Sequence, residues 1–487
     1  MSATQDHMVS FRTAFLPIAF FFLLLLYGLF VHPVFFGGDR LPVEVLVLLA
    51  LFSNCLYLLY LKFDWKVIEQ SIVQKIGESI PVVLILFAVG VLIGSWIVSG
   101  IIPMLIYFGI GIIDGDWIYI FSFLICIIFS LLTGTSWGSA GTIGVVMIGI
   151  AQIYGADLSI TAAAIVGGSF FGDKMSPLSD TTNIAALATD VPVMDHIKSM
   201  MYTTGPAAII ASLLYILLSP AMQGAALDTS VTLAGVEETM TDLKSIFNFN
   251  ILLLLPLVVV IWGSITRKSI FLTLLAASWL AMILAFVIQD FTVNQIFESF
   301  NKGFSIEMVN PDIDIQSDVV TILNRGGLYN LIEGIVISIL IFAFIGTLGV
   351  MNAIEISIAK LMSILRTKSQ TVLASLVAVL FTNLTTSNQY ATSFIVGEAF
   401  KKKYDQMGVA RRVLSRSIED AGTMMENLAP WTPSGIFMAG ALGVTSLEYA
   451  PWQFMSLANI VIAFFFAATG IAVFTNSENS NNEEETS

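Results

Sequence analysis

The chain has 487 residues, of which 56% are hydrophobic and 11% are charged. Its mean hydropathy of +0.87 excludes an ordinary soluble domain. The formal charge of −14 and the acidic carboxyl-terminal sequence disfavour nucleic acid, or an anionic membrane surface, as a partner.

Apolar stretches of about 17 to 25 residues recur along the chain, and each is long enough to cross about 30 Å of hydrocarbon. We count roughly ten to thirteen spans or broken spans, which predicts an all-α polytopic membrane protein. Some stretches are too short to cross alone and are predicted to be half-helices or hairpin arms. The predicted helical stretches are 14–31, 41–61, 80–99, 117–132, 140–154, 158–173, 203–219, 247–263, 269–289, 328–350, 369–384, 390–400, 411–427, 430–444 and 452–474.

The first predicted unit, residues 1–69, contains amino-terminal helices and an interfacial segment. Its first apolar run lacks a small-residue cleavage site, which favours a retained helix over a signal peptide. Over residues 63–80, apolar and charged residues alternate at helical spacing, as in a helix that lies in the membrane interface. An ordinary connecting loop explains this segment equally well.

Two regions of the chain resemble each other. GTSWGSAGTIG (134–144) has a weaker counterpart in TTSNQYATSFIVG (385–397), and DKMSPLS (173–179) matches ENLAPWT (426–432). Ser387 follows Ser136 by 251 positions, and Pro430 follows Pro177 by 253. The predicted units are therefore a first repeat over 70–220, connecting helices and polar loops over 221–324, a second repeat over 325–474 and an acidic disordered tail over 475–487.

Corresponding loops of the two repeats differ in charge. YGADLS (154–159) has no basic residue, whereas KKKYDQMGVARR (401–412) has five. Short basic loops stay in the cytoplasm, so 401–412 is predicted to be cytoplasmic and the first loop to lie on the opposite side. The sequence thus predicts two inverted-topology repeats, each with a re-entrant hairpin and a broken transmembrane helix, as in many secondary transporters.

The polar stretch FFGDKMSPLSDTTN, residues 170–183, interrupts an apolar span. A span broken at Pro177 frees backbone groups that must face protein, water or an ion. Oxygen ligands without sulfur or histidine suit hard cations such as Na⁺ and not transition metals. The oxygen-bearing candidates in this break are Ser176, Ser179, Asp180, Thr181, Thr182 and Asn183.

Two further polar stretches, TGTSWG (133–138) and LTTSNQ (384–389), are predicted to form the tips of the re-entrant hairpins near the bilayer midplane. Each tip is expected to face the break of its own repeat. The oxygen-bearing candidates are Thr133, Thr135 and Ser136 in the first tip and Thr385, Thr386, Ser387 and Asn388 in the second.

Acidic residues at membrane depth are costly, so each must pair with a cation or take up a proton. Asp173, its counterpart Glu426, and Asp180 are therefore candidates for exchanging Na⁺ against H⁺. The alternative for Asp173 and Asp180 is a purely structural polar network. Lys174 is either an ion-pair partner that releases an acid when Na⁺ arrives or a side chain that reaches to the interface.

Two more acids, Glu419 and Asp420, lie near the basic loop. Pairing with Arg411, Arg412 or Arg416 explains them as well as a functional role does. The three histidines of the chain show no ligand spacing, so no transition-metal site is predicted.

In these motifs the chain resembles the NhaC family of Na⁺/H⁺ antiporters, and the similarity runs over most of 70–445. The segments that carry it are GTSWGSAGTIGV, GGSFFGDKMSPLSDTTNIA, HIKSMMYTTGPA, LNRGG, LSRSIEDAGT and APWTPSGIFM. Through the wider ion transporter superfamily, the resemblance implies two inverted repeats around the substrate and, often, a homodimer. It implies an ion site on Thr135, Ser136, Asp173, Ser176, Ser179, Asp180, Thr181 and Asn183, completed or opposed by Ser387, Asn388, Glu426, Asn427 and Thr432.

The function implied is secondary active antiport in a bacterial inner membrane, and not enzymatic catalysis. Cytoplasmic Na⁺, with Li⁺ as a further candidate, would exchange for external H⁺ by alternating access, without a cofactor. Similar motifs occur in malate/lactate exchangers coupled to Na⁺ and H⁺, which form the alternative, although Glu426 opposes an anionic substrate. An intramembrane enzyme with paired aspartates is a remote alternative, because it needs no duplicated polar break.

Overall fold

The computed structural model describes residues 9–223, 229–309 and 315–475, so the predicted acidic tail lies outside the described residues from position 476 on. Within these ranges the regular structure is helical, apart from an isolated antiparallel bridge between Val409 and Thr475. Nine helices of the described ranges are long and apolar enough to cross a membrane, or up to eleven spans if two bent pairs count as one each. The prediction of an all-α polytopic membrane protein is confirmed.

The α-helices are numbered in chain order. They are α1 (Phe11–Leu26), α2 (Val43–Tyr60), α3 (Trp65–Val98), α4 (Ile101–Ile110), α5 (Ile118–Thr133), α6 (Ser136–Ser139), α7 (Val145–Ile153), α8 (Leu158–Met175), α9 (Asp180–Ala188), α10 (Val193–Leu218), α11 (Pro220–Gln223), α12 (Thr229–Ile246), α13 (Leu255–Ile265), α14 (Ile270–Ile288), α15 (Val293–Asn301), α16 (Ser317–Leu323), α17 (Ile332–Gly349), α18 (Ala353–Met362), α19 (Lys368–Thr386), α20 (Gln389–Met407), α21 (Arg411–Ile418), α22 (Met424–Glu426), α23 (Pro433–Leu442), α24 (Ser446–Tyr449) and α25 (Phe454–Thr469). Segments of π-helix cover Tyr27–Phe36, Ala140–Gly144 and Glu419–Thr423, and 3₁₀ turns cover Gly115–Trp117, Ile251–Leu254, Ile306–Met308 and Ala450–Trp452.

The segment 63–80 is neither a loop nor a separate interfacial helix, because residues from Trp65 on form the first half of α3. This single helix has 34 residues. Its charged first half is mostly exposed, whereas the second half is mostly buried, and the helix packs against α14 and α17. At about 1.5 Å per residue it is about 51 Å long, and therefore projects beyond about 30 Å of hydrocarbon.

Helices α4, α12 and α18 are among those that occupy stretches in which the sequence predicts no span. Helices α4 and α18 have ten residues each, too few to cross a membrane, so a criterion of span length misses them. Helix α12 lies in a stretch predicted to be a polar connector. The predicted connector between the repeats is therefore largely helical where it is described.

The first polar break is positioned by close packing of α8 on α5. Gly168 and Gly172, one turn apart on α8, face the backbone of α5. A Cβ atom on Gly172 would lie 2.5 Å from the Cβ of Ser130. Small residues at this spacing let two membrane helices approach closely, which fixes the position of the following residue, Asp173.

The two predicted hairpin tips have the same local backbone. Helix α5 ends at Gly134 (φ +69°) and α19 ends at Ser387 (φ +49°), both in the left-handed region. The next residues, Thr135 and Asn388, each cap the following helix with a side-chain oxygen. Ser387 is therefore equivalent to Gly134 and not, as the sequence pairing suggests, to Ser136.

The two polar breaks also match. Ser179 caps α9 and Thr432 caps α23, each through its hydroxyl oxygen. The shift between these residues is 253 positions, the same as between Gly134 and Ser387. A single shift therefore relates the tips and the breaks, and it pairs Asp173 with Glu426.

Candidate ion-binding site

A cavity of about 200 Å³ lies among the two hairpin tips and the two breaks. Helices α3, α14 and α17 close it with apolar side chains such as Ile85, Ile270 and Phe342. The polar side chains of the wall are Thr135, Ser136, Asp173, Asp180, Thr181, Ser387, Asn388, Gln389, Tyr390, Thr423, Glu426 and Ser434. Three carboxyl groups thus line the cavity, while no lysine or arginine of the described residues does.

Asp173 is the buried carboxylate of the first break, with 7% of its surface exposed. Ser136 Oγ donates to Oδ2 at 2.6 Å, and Ser179 Oγ donates to Oδ1 at 2.6 Å. One donor comes from the hairpin tip and the other from the break. These hydroxyls stabilise a charged carboxylate, and their lone pairs can turn to a cation bound beside it.

The break itself follows from Pro177. The proline disfavours helix at Ser176, which is extended (φ −85°, ψ 132°) and ends α8. Ser176 Oγ donates to Leu131 O at 3.1 Å, and Asn183 Nδ2 donates to Pro177 O at 2.9 Å. Both side chains satisfy backbone groups near the break, and the structure does not bring either to the cavity wall.

Asp180 and Thr181 begin α9 and line the cavity. Asp180 is exposed, which corrects the expectation that it is a carboxylate buried at membrane depth. The first turn of a helix accommodates negative charge, because its N–H groups point towards it. The argument from burial therefore applies to Asp173 and not to Asp180.

The second repeat brings Ser387, Asn388 and Glu426 to the same cavity. Glu426 is 8% exposed. The buried hydroxyl oxygen of Ser387 has no hydrogen-bond partner among the described residues. Unpaired buried hydroxyls in a polar cavity indicate that water or an ion fills it.

Two predicted residues of the second repeat have other contacts. Asn427 Nδ2 donates to Ser456 Oγ at 3.1 Å, and Thr432 Oγ1 donates to Ala429 O at 2.8 Å. Neither residue belongs to the cavity wall. Their predicted role as ligands is therefore not supported by their placement.

Lys174 belongs to a separate buried network. Its Nζ donates to Asp420 Oδ1, and to Asn459 Oδ1 at 3.1 Å. Thr203 Oγ1 donates to the same Asp420 oxygen at 2.8 Å, and Arg416 Nε lies 3.8 Å from Asp420 Oδ2. Lys174 is thus an ion-pair partner, of Asp420 and not of Asp173, and of the three arginines weighed for Asp420 it is Arg416 that lies beside it. Sequence reasoning missed only that Lys174 and Asp420 meet.

The fold and the cavity together define a multi-pass helical membrane protein with an internal polar site lined by carboxyl groups. The chain belongs to the Na⁺/H⁺ antiporter family, whose model matches residues 168–471. Membership confirms the predicted resemblance, and it confirms that the protein is an antiporter and not an enzyme.

Three relatives cover most of the chain. An uncharacterized Na⁺/H⁺ antiporter of Haemophilus influenzae is 36% identical, over 94% of this chain and 96% of the relative. The Na⁺/H⁺ antiporter NhaC of Bacillus subtilis is 33% identical, over 81% and 85%. The malate-2H⁺/Na⁺-lactate antiporter of Bacillus subtilis is 31% identical, over 90% and 92%. Identity alone does not separate cation exchange from carboxylate exchange.

Proposed function

We propose that the protein exchanges cytoplasmic Na⁺, with Li⁺ as a second substrate, for external H⁺. The observation that carries this proposal is the charge of the cavity wall, where Asp173, Asp180 and Glu426 meet no lysine or arginine. Such a wall attracts a cation and repels a dicarboxylate. The basic residues at the first break are engaged elsewhere: Lys174 pairs with Asp420, and Arg267 donates to Pro177 O at 3.0 Å. Cation exchange is therefore favoured over malate/lactate exchange.

Competition at Asp173 explains how the two ions are exchanged. A carboxylate at this depth needs either a bound cation or a proton, so Na⁺ and H⁺ displace each other. Ser136 and Ser179 hold its two oxygens towards the space between tip and break. The other proposed Na⁺ ligands are the oxygens of Thr135, Thr181, Ser387, Asn388 and Glu426, with Asp180 at the exposed edge.

Alternating access is proposed to use two inverted repeats. The single shift of 253 positions between tips and breaks supports a duplicated unit. The five basic residues of 401–412 support a cytoplasmic position for that loop. A bacterial inner membrane and a homodimer are part of the proposal, and these two rest on the family resemblance.

The test is Na⁺-induced collapse of a pH gradient in proteoliposomes, with and without malate or lactate and with and without an imposed voltage. Wild type is expected to respond to Na⁺ alone. Asp173→Asn removes the charged ligand and is expected to lower the rate by about 100-fold or more, since a charged partner contributes about 3 kcal/mol. Asp180→Asn is expected to weaken the exchange without abolishing it, because Asp180 is exposed.

The matched control is Glu69→Gln, which neutralises an exposed acid of α3. It is expected to transport as wild type does. Undiminished exchange by Asp173→Asn would show that Asp173 is not the carboxylate at which Na⁺ and H⁺ compete. A strict requirement for malate or lactate would favour the carboxylate exchanger instead.

A further inference from the structure

Glu419 is a buried acid with a single hydroxyl, that of Thr423, within reach among the described residues. Its side chain is 0% exposed, and neither Oε1 nor Oε2 makes a hydrogen bond of normal geometry. The neighbouring buried acids differ: Asp173 accepts from two hydroxyls, and Asp420 accepts from Lys174, Thr203 and Asn459. An ionised carboxylate without donors is strongly disfavoured in a protein interior, so Glu419 needs either a proton or a compensating positive charge.

Glu419 lies close to the proposed ion site along its own segment. It begins the π-helical segment Glu419–Thr423, which continues into α22 and ends at Glu426. Thr423, about one turn beyond Glu419, is part of the cavity wall. Segments of π-helix inside α-helices occur frequently at functional sites. Glu419 is thus placed about one turn from the cavity and outside its wall.

Glu419 lies among charged groups of both signs. Titratable groups act on it from several elements: Asp173 and Lys174 of α8, Asp420, Glu426 of α22 and Tyr390 of α20. Arg416 of α21 lies 3.8 Å from Asp420. Helices α10 and α25 contribute the uncharged Thr203 and Asn459, which bind Asp420. Within the network, Lys174 and Arg416 face Asp420, and the neighbouring ion site adds the carboxyl groups of Asp173 and Glu426. The charge state of Glu419 therefore changes the local charge beside the ion site by one unit.

We propose that Glu419 is a second proton-binding residue of the transport cycle, coupled through space to the cation in the cavity. This inference rests on the proposed Na⁺/H⁺ exchange. A proton on Glu419 removes one negative charge near Asp173, which opposes Na⁺ binding there. Bound Na⁺ in turn favours release of the proton, and thermodynamic linkage makes the two effects equal. The proton leaves through the cavity, past Thr423.

The experiment measures proton release and Na⁺ affinity on the purified full-length protein. Na⁺ is titrated in weakly buffered detergent solution with a pH-indicator dye, and its affinity is measured by calorimetry across a pH series. Each proton released per Na⁺ adds about a tenfold change in affinity per pH unit. In wild type the Na⁺ affinity is expected to change by about 100-fold per pH unit in the range where both Asp173 and Glu419 titrate. In Glu419→Gln it is expected to change by about tenfold per pH unit, and one proton fewer is released per Na⁺.

Two variants separate a proton site from a packing effect. Glu419→Asp keeps an ionisable group and is expected to restore the pH dependence. Glu69→Gln, the same substitution at an exposed position, is expected to match wild type. Equal proton release by wild type and Glu419→Gln would overturn the proposal. Na⁺ binding by wild type without any proton release would overturn the Na⁺/H⁺ exchange itself, and this inference with it.

A spectroscopic measurement keeps the proposal testable if Glu419→Gln does not fold. Glu419 and Glu426 are the buried glutamates of the described residues. In a Glu426→Asp background, which keeps a carboxyl group in the cavity, and with isotope-labelled glutamate, Na⁺ is expected to remove the infrared signal of a neutral glutamic acid. If Na⁺ binds and that signal does not change, Glu419 does not release a proton and the proposal is wrong.

Discussion

Asp173 and Lys174 are neighbours in sequence that belong to two different polar systems. Successive residues on a helix point in directions about 100° apart, so one can line the cavity while the other faces a neighbouring helix. Asp173 meets the hydroxyls of Ser136 and Ser179, whereas Lys174 meets Asp420. The ion pair therefore leaves the cavity wall free of positive charge while holding the end of α8 in place.

The first prediction concerns the stability of this pair. Lys174→Met leaves Asp420 buried with only Arg416, 3.8 Å away, as a charged partner. We expect a loss of about 3 kcal/mol in the free energy of unfolding, because an unpaired buried charge is costly. Denaturant unfolding in detergent, followed by tryptophan fluorescence, measures it.

The double variant Lys174→Met/Asp420→Asn provides the control. Because it removes both charges, it is expected to lose less than the sum of the two single variants. Strict additivity would mean that the two side chains do not stabilise each other.

Sequence reasoning identifies the acids at the polar breaks but not their partners. Asp173 is recognisable from its neighbours, since Pro177 and the hydroxyls that follow mark a break. Asp420 lies 246 positions from Lys174, and three arginines lie much closer to it in sequence. Only the packing of α8 against the segment after α21 decides which base it meets. The same packing leaves Asp180 exposed.

At the scale of elements, the hairpin tips depend on single left-handed residues. Gly134 can adopt this conformation freely, whereas Ser387 adopts it against the preference of a residue with a Cβ atom. A Cβ on Gly134 would lie 2.6 Å from the Cβ of Leu178, in the first break. The first tip therefore approaches its own break so closely that only glycine fits.

The second prediction follows from this contrast. Gly134→Ala is expected to lower the free energy of unfolding by about 1–3 kcal/mol and to impair transport, because both strain and contact with Leu178 act against it. Ser387→Gly is the matched control and is expected to fold at least as well as wild type. Thermal unfolding and the proteoliposome assay check both variants. If Gly134→Ala unfolds and transports as wild type does, the hairpin tip does not approach Leu178 as closely as the structure shows.

Hydropathy predicts the long spans well and the short or polar helices poorly. Helices α14 and α17 lie where continuous apolar runs predict them, because a span must be apolar along its length. Helix α4 is too short to be recognised, and α3 continues through a charged stretch that pattern alone assigns equally well to a loop. The exact register of the repeat depends on backbone conformation at Gly134 and Ser387, which sequence similarity does not report.

At the scale of the whole molecule, the third prediction tests the inverted repeats. The variants Ala156→Cys, after α7, and Gln406→Cys, in the last turn of α20, place cysteines at corresponding ends of the two repeats. They are expected to react with a membrane-impermeant thiol reagent from opposite sides of the membrane. The background is Cys55→Ser, since Cys126 is buried and Cys55 is half-buried. Labelling of both positions from the same side would exclude an inverted topology.

The basic loop is electrostatically insensitive to pH in the physiological range. Arg411 donates to Asp405 at 3.0 and 2.7 Å, and these hydrogen bonds lower the pKa of Asp405. The pKa of Asp405 in the folded protein lies below its unfolded value of about 4, so the stabilisation by the Arg411–Asp405 pair is complete above a pH of about 4. This stabilisation is lost only as the pH falls through the lower pKa of the folded protein. Any pH response of transport near neutrality is thus expected from the buried acids.

The pairing of Lys174 with Asp420 also constrains how the protein is made. Helix α8 is not among the helices that are apolar enough to span a membrane by themselves. Its lysine has no partner until the ribosome has added a further 246 residues. During that interval we expect the charge of Lys174 to need water around it, because an unpaired lysine is costly in lipid. A chain truncated before Asp420 is therefore expected to insert α8 less stably than the full-length chain.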